Sequence, residues 1–144
     1  REAWERSGGF PPCERKSQDI HLWLRLLLSE IFAHSDQLTA IWHEEETGVL
    51  LRGGVMPAHF SYFLGSEAGR ATLSNSDLQA FLSTNLARHV GGHRLRRDDR
   101  VVAEMVRLSR CLPLHARLKI YAISVMPRKA LAAIAVWRGA RLRR

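Results

Sequence analysis

The residues best suited to chemistry form a row of arginines in residues 98–112, the segment DDRVVAEMVRLSRCL. At about 100° per residue, Arg100, Arg107 and Arg110 lie on an arc that faces away from an apolar stripe. That stripe consists of Val101, Met105, Leu108 and Leu112. A guanidinium group donates paired hydrogen bonds to phosphates and to guanine edges. The pattern predicts a helix with one side buried and the other facing a nucleic acid.

More cations flank this predicted helix on both sides. A basic connector precedes it, and a turn at 126–129 follows it. We expect the connector arginines to hold phosphates and the turn to contact the backbone. An ordinary amphipathic helix with a solvated charged face is the alternative. The predicted DNA-binding residues are Arg94, Arg96, Arg97, Arg100, Arg107, Arg110, Arg128 and Lys129.

Charge is unevenly distributed along the chain. Residues 1–90 hold 8 Lys and Arg against 11 Asp and Glu, whereas residues 91–144 hold 14 against 3, a net charge of +11. Nineteen of the 22 basic residues are Arg. This polarity favours a polyanionic partner for the C-terminal third over a generic solubilising surface.

Other candidate chemistry is weaker. His89 and His93 have helical metal spacing, but we expect Gly91-Gly92 to end the helix between them, so neither a metal nor a cofactor is predicted. Cys111 lies near His115 and basic neighbours that can lower a thiol pKa, although a half-buried helix cysteine is the favoured interpretation. Residues 44–46, all Glu, are typical of a solvated turn. We therefore predict that the protein is not an enzyme.

Length and composition set broad limits. The 144 residues, 46% of them hydrophobic, suit one globular domain. No apolar run reaches the ~18–20 residues of a membrane span, so we expect no membrane partner. The charged first residues predict no secretory signal. Two cysteines, Cys13 and Cys111, are too few for a disulfide framework, and we expect free thiols inside the cell.

Periodicity and turn residues predict the elements that position these side chains. We expect an irregular lead-in over 1–16, a domain over 17–137 and a basic tail over 138–144. Helices are predicted over 18–33, 58–64, 77–90 and 98–112, and a hairpin over 38–52. Residues 117–125 alternate like a strand, and 131–137 suit either a strand or a short helix, with a second hairpin favoured. The predicted fold class is α+β: a winged helix-turn-helix domain of three to four helices with a small antiparallel sheet.

The sequence resembles the tryptophan-cluster winged-helix families at several short motifs. Residues 20–27 and Ile41-Trp42 are similar to the start of an ETS domain. Trp23, Trp42 and the residues WHEEE at 42–46 resemble the interferon regulatory factor DNA-binding domains. The residues RLSRCL at 107–112 are similar to the end of the latter family's recognition helix, and KIY at 119–121 to its last strand.

This resemblance implies the DNA-binding domain of a nuclear transcription regulator. The two families place DNA reading on different helices, which correspond to 77–90 and 98–112, and charge favours the second. The paired arginines of the ETS recognition helix are missing from residues 82–88. A module of similar fold that binds an acidic protein without reading DNA sequence is therefore the alternative.

Overall fold

A computed structural model of the chain describes residues 2–10, 17–30 and 55–142. The chain divides into two compact units. The first comprises residues 1–52 and 57–59, and the second comprises residues 53–56 and 60–144. The predicted hairpin over 38–52 lies outside the described residues.

The first unit contains two described helices, α1 (Glu2–Ser7) and α2 (Gln18–Ser29). Helix α1 lies within the lead-in that the sequence predicted to be irregular. The Arg6 guanidinium joins the two helices by donating to the Glu30 carboxylate, with Nη2 2.9 Å from Oε2. On α2, Leu22 and Leu24 are buried while Trp23 and Leu27 are exposed.

The remaining described helices run from residue 58 to residue 142. The same stretch contains the 3-10 turns Thr72–Ser74 and Ser109–Cys111. The helices are α3 (Ala58–Gly65), α4 (Glu67–Ala71), α5 (Ser76–Leu95), α6 (Asp99–Leu108), α7 (Leu114–Val125) and α8 (Arg128–Leu142).

Helix α5 is the centre of the second unit. Its 20 residues pack against α6 and α7, which also contact each other, and α8 packs against α5. The predicted apolar stripe of α6 is confirmed, because Val101, Met105, Leu108 and Leu112 are all buried. The core of this unit includes the completely buried side chains of Phe63, Leu82, Leu86, Val90, Met105 and Ile120.

The predicted α+β winged helix-turn-helix fold is wrong for the described part of the chain, which is helical and contains no strand. Residues 117–125, predicted as a strand, belong to α7, and residues 131–137 belong to α8. Ala116 and Ile120, four residues apart, are the buried positions of α7, which is helical spacing. Four alanines between residues 130 and 135 favour a helix in α8.

Helix α5 differs from the prediction at both ends. The helix begins at Ser76, and Asn75 is its N-cap: the Asn75 side chain accepts hydrogen bonds from the backbone of Asp77 and Leu78, both at 3.0 Å. At the other end, the helix continues through Gly91-Gly92 to Leu95. A glycine costs about 1 kcal/mol in a helix. Burial of Val90 and His93 on either side offsets that cost.

The apolar content of the last two helices is high. Within the described residues, no single helix is long and apolar enough to cross a membrane. Leu114–Val125 and Arg128–Trp137 pass such a test of length and composition only as a pair, and that pair is bent by 112°.

Candidate nucleic-acid interface

The turn between α5 and α6 carries the densest group of predicted site residues. It consists of Arg96, Arg97 and Asp98, and the Asp98 backbone N–H closes it by donating to the His93 carbonyl at 3.0 Å. Arg97 has a φ of 66°, in the left-handed region that side-chain-bearing residues rarely adopt. Its side chain is exposed. The backbone of this turn therefore presents Arg97 to solvent.

Asp98 anchors the turn to α5 through its side chain. Asp98 is the N-cap residue of α6, but its carboxylate makes no capping bond. Instead Oδ2 lies 2.9 Å from Nδ1 of His93, whose side chain is completely buried. Arg96 Nε lies 3.6 Å from the same oxygen. Arg96 is thus held beside an acidic partner.

Asp99 forms ion pairs with two further predicted site residues. Arg94 Nη1 donates to Oδ1 of Asp99 at 2.9 Å, and Arg128 Nη2 lies 3.4 Å from Oδ2. Arg128 Nε also donates to the Arg94 carbonyl oxygen at 3.1 Å. Arg128, in the turn predicted to contact the DNA backbone, fixes the start of α8 beside the end of α5.

Glu104 and Arg107 form a paired contact on the exposed side of α6. Arg107 Nε donates to Glu104 Oε2 at 2.9 Å, and Nη2 donates to the other carboxylate oxygen. The hydrogen bond and the charge of Arg107 lower the pKa of Glu104 from its usual value. The same contacts raise the pKa of Arg107. On the predicted arc of arginines, the charge of Arg107 is therefore offset by that of Glu104.

The other predicted cations are exposed to solvent and form no ion pair with the acidic side chains that the structure describes. Arg97, Arg100, Arg110 and Lys129 are exposed, and within residues 55–142 none of them has an acidic side chain as an ion-pair partner. Arg100 and Arg107 are seven residues apart on α6, which places them on one face. We call the set Arg97, Arg100, Arg107 and Arg110 the cationic row.

A groove of about 270 Å³ lies between the first half of α5 and the start of α7. Hydroxyl groups of Ser76, Ser83 and Thr84 line it, together with His115 and Lys119, and no carboxylate belongs to this lining. Lys119 and Arg117 are exposed cations that the sequence did not assign to the site. Because residues 117–125 were predicted to form a strand, the sequence did not predict that these two cations lie on a helix.

The residues considered for metal binding and thiol chemistry, His89, His93 and Cys111, make contacts within the fold. His89 and His93 lie on one continuous helix with stacked rings, centroids 6.3 Å apart, so the predicted helix break between them is wrong. Among the described residues, no group of three His, Cys, Asp or Glu side chains is placed to hold a metal. Cys111 donates to the Leu108 carbonyl at 3.1 Å, and burial raises the pKa of its thiol, which disfavours the reactive thiolate.

Comparison with protein-family models, with curated proteins and with solved structures finds no match to this chain.

Proposed function

We propose that this protein binds double-stranded DNA through the cationic row, as the DNA-binding part of a transcription regulator. One observation carries the proposal: the acids of the turn and α6 are paired with particular arginines, while other arginines beside them are not. Asp98 and Asp99 pair with Arg94, Arg96 and Arg128. Arg97, Arg100 and Arg110 extend into solvent, where phosphates can replace water.

The connection between α5 and α6 supports this proposal. Two helices joined by a turn of three or four residues form the helix-turn-helix motif, whose second helix enters the major groove. Here α5 and α6 are joined by three residues, and α6 carries Arg100 in its first turn. In such motifs the N-terminal residues of the second helix contact base edges. We assign Arg100 to base edges and Arg97 and Arg110 to phosphates.

The proposal is tested by fluorescence anisotropy with a labelled 25-base-pair duplex. The triple variant Arg97→Ala, Arg100→Ala, Arg110→Ala removes the unpaired part of the cationic row. We expect its affinity to fall on the order of tenfold or more, because phosphate contacts supply much of DNA affinity. The matched control, Arg70→Ala, Arg88→Ala, Arg117→Ala, removes the same charge from exposed positions outside the row.

The control variant should bind within a few-fold of the parent protein. Equal weakening of both triple variants would show that net charge alone drives binding, and would contradict the assignment. Tighter binding to poly-glutamate than to DNA would support the alternative function, an acidic protein partner, and would also contradict it. Circular dichroism melting of each variant checks that the fold is retained.

A further inference from the structure

Helix α7 presents its larger apolar side chains to solvent. Leu114, Leu118, Tyr121 and Val125 are between 57% and 64% exposed. Their spacing of four, three and four residues places them within an arc of about 60°. Ala116 and Ile120, which are buried, lie on roughly the opposite side. Helix α7 therefore has two apolar faces, a small one in the core and a larger one, the outer stripe, that points away from it.

Helix α8 repeats this arrangement. Leu131 is the buried side chain among those described on this helix. Val136 and Trp137 are 73% and 54% exposed, and together with Ala133 they lie on the side opposite Leu131. Both α7 and α8 therefore expose large apolar side chains. Proteins rarely leave large apolar patches in water, and such patches mark interaction sites.

The charge of the same region is of one sign. The last acidic residue of the chain is Glu104, and residues 105–144 contain ten Lys and Arg. On α7, the exposed Arg117 lies about 40° from the edge of the outer stripe, whereas Lys119 lies on the side of the groove between α5 and α7. Lys129 is exposed in the first turn of α8. The partner that covers the stripe must therefore be apolar at its centre and negatively charged around it.

We propose that the outer stripe docks this protein on the surface of an anionic lipid bilayer. Helices that lie in a membrane interface bury one apolar face among the acyl chains and direct cations to the headgroups. Tyr121 and Trp137 are of the aromatic types that prefer this depth. At 12 residues, α7 is about 18 Å long. This length suits a helix lying in the interface rather than one crossing the hydrocarbon core.

Two other occupants fit the surface less well. A second copy of the chain would bring together two surfaces of the same charge, with Arg117 and Lys129 facing the same cations of its partner, which disfavours contact. A nucleic acid would satisfy the cations but leave Leu118 and Val125 against charged phosphates. An anionic bilayer would bury the outer stripe among its acyl chains and would bind Arg117 and Lys129 through its headgroups. The inference does not rest on DNA binding, because the cationic row lies on different residues.

Flotation of the full chain with lipid vesicles tests the proposal. One vesicle type is phosphatidylcholine alone, and the other contains 30% phosphatidylserine. We expect roughly tenfold or stronger binding to the anionic vesicles. The variant Leu118→Gln, Tyr121→Gln should lose on the order of tenfold or more of that binding, since two exposed apolar side chains no longer enter the bilayer.

The matched control is Trp23→Gln, Leu27→Gln, which changes two side chains that are 55% and 57% exposed on α2. It should float like the parent protein. Absence of vesicle binding, or equal loss in the two variants, would overturn the proposal. So would a concentration-dependent dimer in analytical ultracentrifugation that Leu118→Gln, Tyr121→Gln abolishes. DNA affinity of this variant should equal that of the parent, which separates this test from that of the proposed function.

Discussion

The Nε atom of Arg128 donates a hydrogen bond to the backbone carbonyl oxygen of Arg94, at 3.1 Å and across 34 residues of sequence. This bond joins the start of α8 to the last turn of α5. The same carbonyl also accepts from the backbone N–H of Arg97, at 3.3 Å, so it links the α5–α6 turn to α8. Asp99 completes the arrangement by accepting from both arginine side chains. These residues therefore support the α5–α6 turn rather than extending toward a ligand.

Replacing Arg128 should consequently affect stability more than DNA binding. We expect Arg128→Ala to lower the free energy of unfolding by about 1 kcal/mol, since a hydrogen bond to a carbonyl and a partly exposed ion pair are lost. Urea denaturation followed by circular dichroism measures this change. Lys129→Ala, at the adjacent exposed position, is the control and should unfold like the parent. A stable Arg128→Ala variant that no longer binds DNA would contradict the structural role.

Arg97 offers a way to separate backbone strain from ligand binding. Glycine adopts a φ of 66° without the steric cost that arginine bears. We expect Arg97→Gly to keep the parent stability or gain up to about 1 kcal/mol, while its DNA affinity falls because a phosphate contact is removed. Thermal unfolding and anisotropy report the two properties. Arg100→Ala should weaken DNA binding without any gain in stability, and undiminished DNA affinity in Arg97→Gly would exclude Arg97 from the interface.

Glu104 limits the contribution of Arg107 to the cationic row. We expect Glu104→Gln to raise DNA affinity several-fold, because it removes a repelling charge and releases the guanidinium. Glu67→Gln makes the same charge change at an exposed position of α4 that has no contact with Arg107, and should raise affinity less. Anisotropy at constant ionic strength measures both. Similar affinities for the two variants would contradict the special position of Glu104.

The same contact has a defined pH dependence. Arg107 lowers the pKa of Glu104 below its usual value of 4.5 in the folded protein. A depressed acidic pKa means that the contact contributes fully above pH 4.5 and is lost as the pH falls through the lower folded value. Between pH 5 and pH 8 the parent protein and Glu104→Gln should therefore show parallel DNA-binding curves. Convergence of the two curves above pH 5 would be the opposite result.

Gly69 marks a close approach between α4 and α3. A Cβ atom there would lie 2.6 Å from the Phe63 Cα and closer still to the Tyr62 carbonyl oxygen. Since these are backbone atoms, the helices must separate, and we expect Gly69→Ala to cost about 1–3 kcal/mol of unfolding free energy. In Gly91→Ala the added Cβ atom would lie 3.7 Å from Ile123 Cγ2, an ordinary van der Waals contact. That control should gain up to about 1 kcal/mol from helix propensity, as measured by urea denaturation.

The sequence predicted α6 well because local and tertiary signals agree there. The segment begins with two aspartates, and a proline follows it. Between them, apolar residues recur with the 3.6-residue period of a helix and form one buried stripe. The sequence failed at α7 because that helix breaks the rule that large apolar residues face the core. With Leu118 and Tyr121 outside and Ile120 inside, the helical period is hidden and a strand-like alternation emerges.

The candidate site could be predicted only in part for a related reason. The excess of positive charge after residue 90, and the residues that carry it, can be read directly from the sequence. Which of them are neutralised depends on contacts such as that of Asp99 with Arg128, which are separated by 29 residues. Periodicity carries no information on such pairs. The structure therefore divides the eight candidate cations into Arg97, Arg100, Arg110 and Lys129, which lack an acidic ion-pair partner within residues 55–142, and four arginines that have one.

The most direct test of DNA binding by the cationic row is the salt dependence of affinity. The logarithm of the binding constant of the parent protein for a 25-base-pair duplex is measured against the logarithm of salt concentration. Each phosphate contact contributes about −0.9 to the slope. We predict that the Arg97→Ala, Arg110→Ala variant has a slope shallower by about two units, and that Arg70→Ala, Arg88→Ala keeps the parent slope. Identical slopes for the parent and the Arg97→Ala, Arg110→Ala variant would contradict the account.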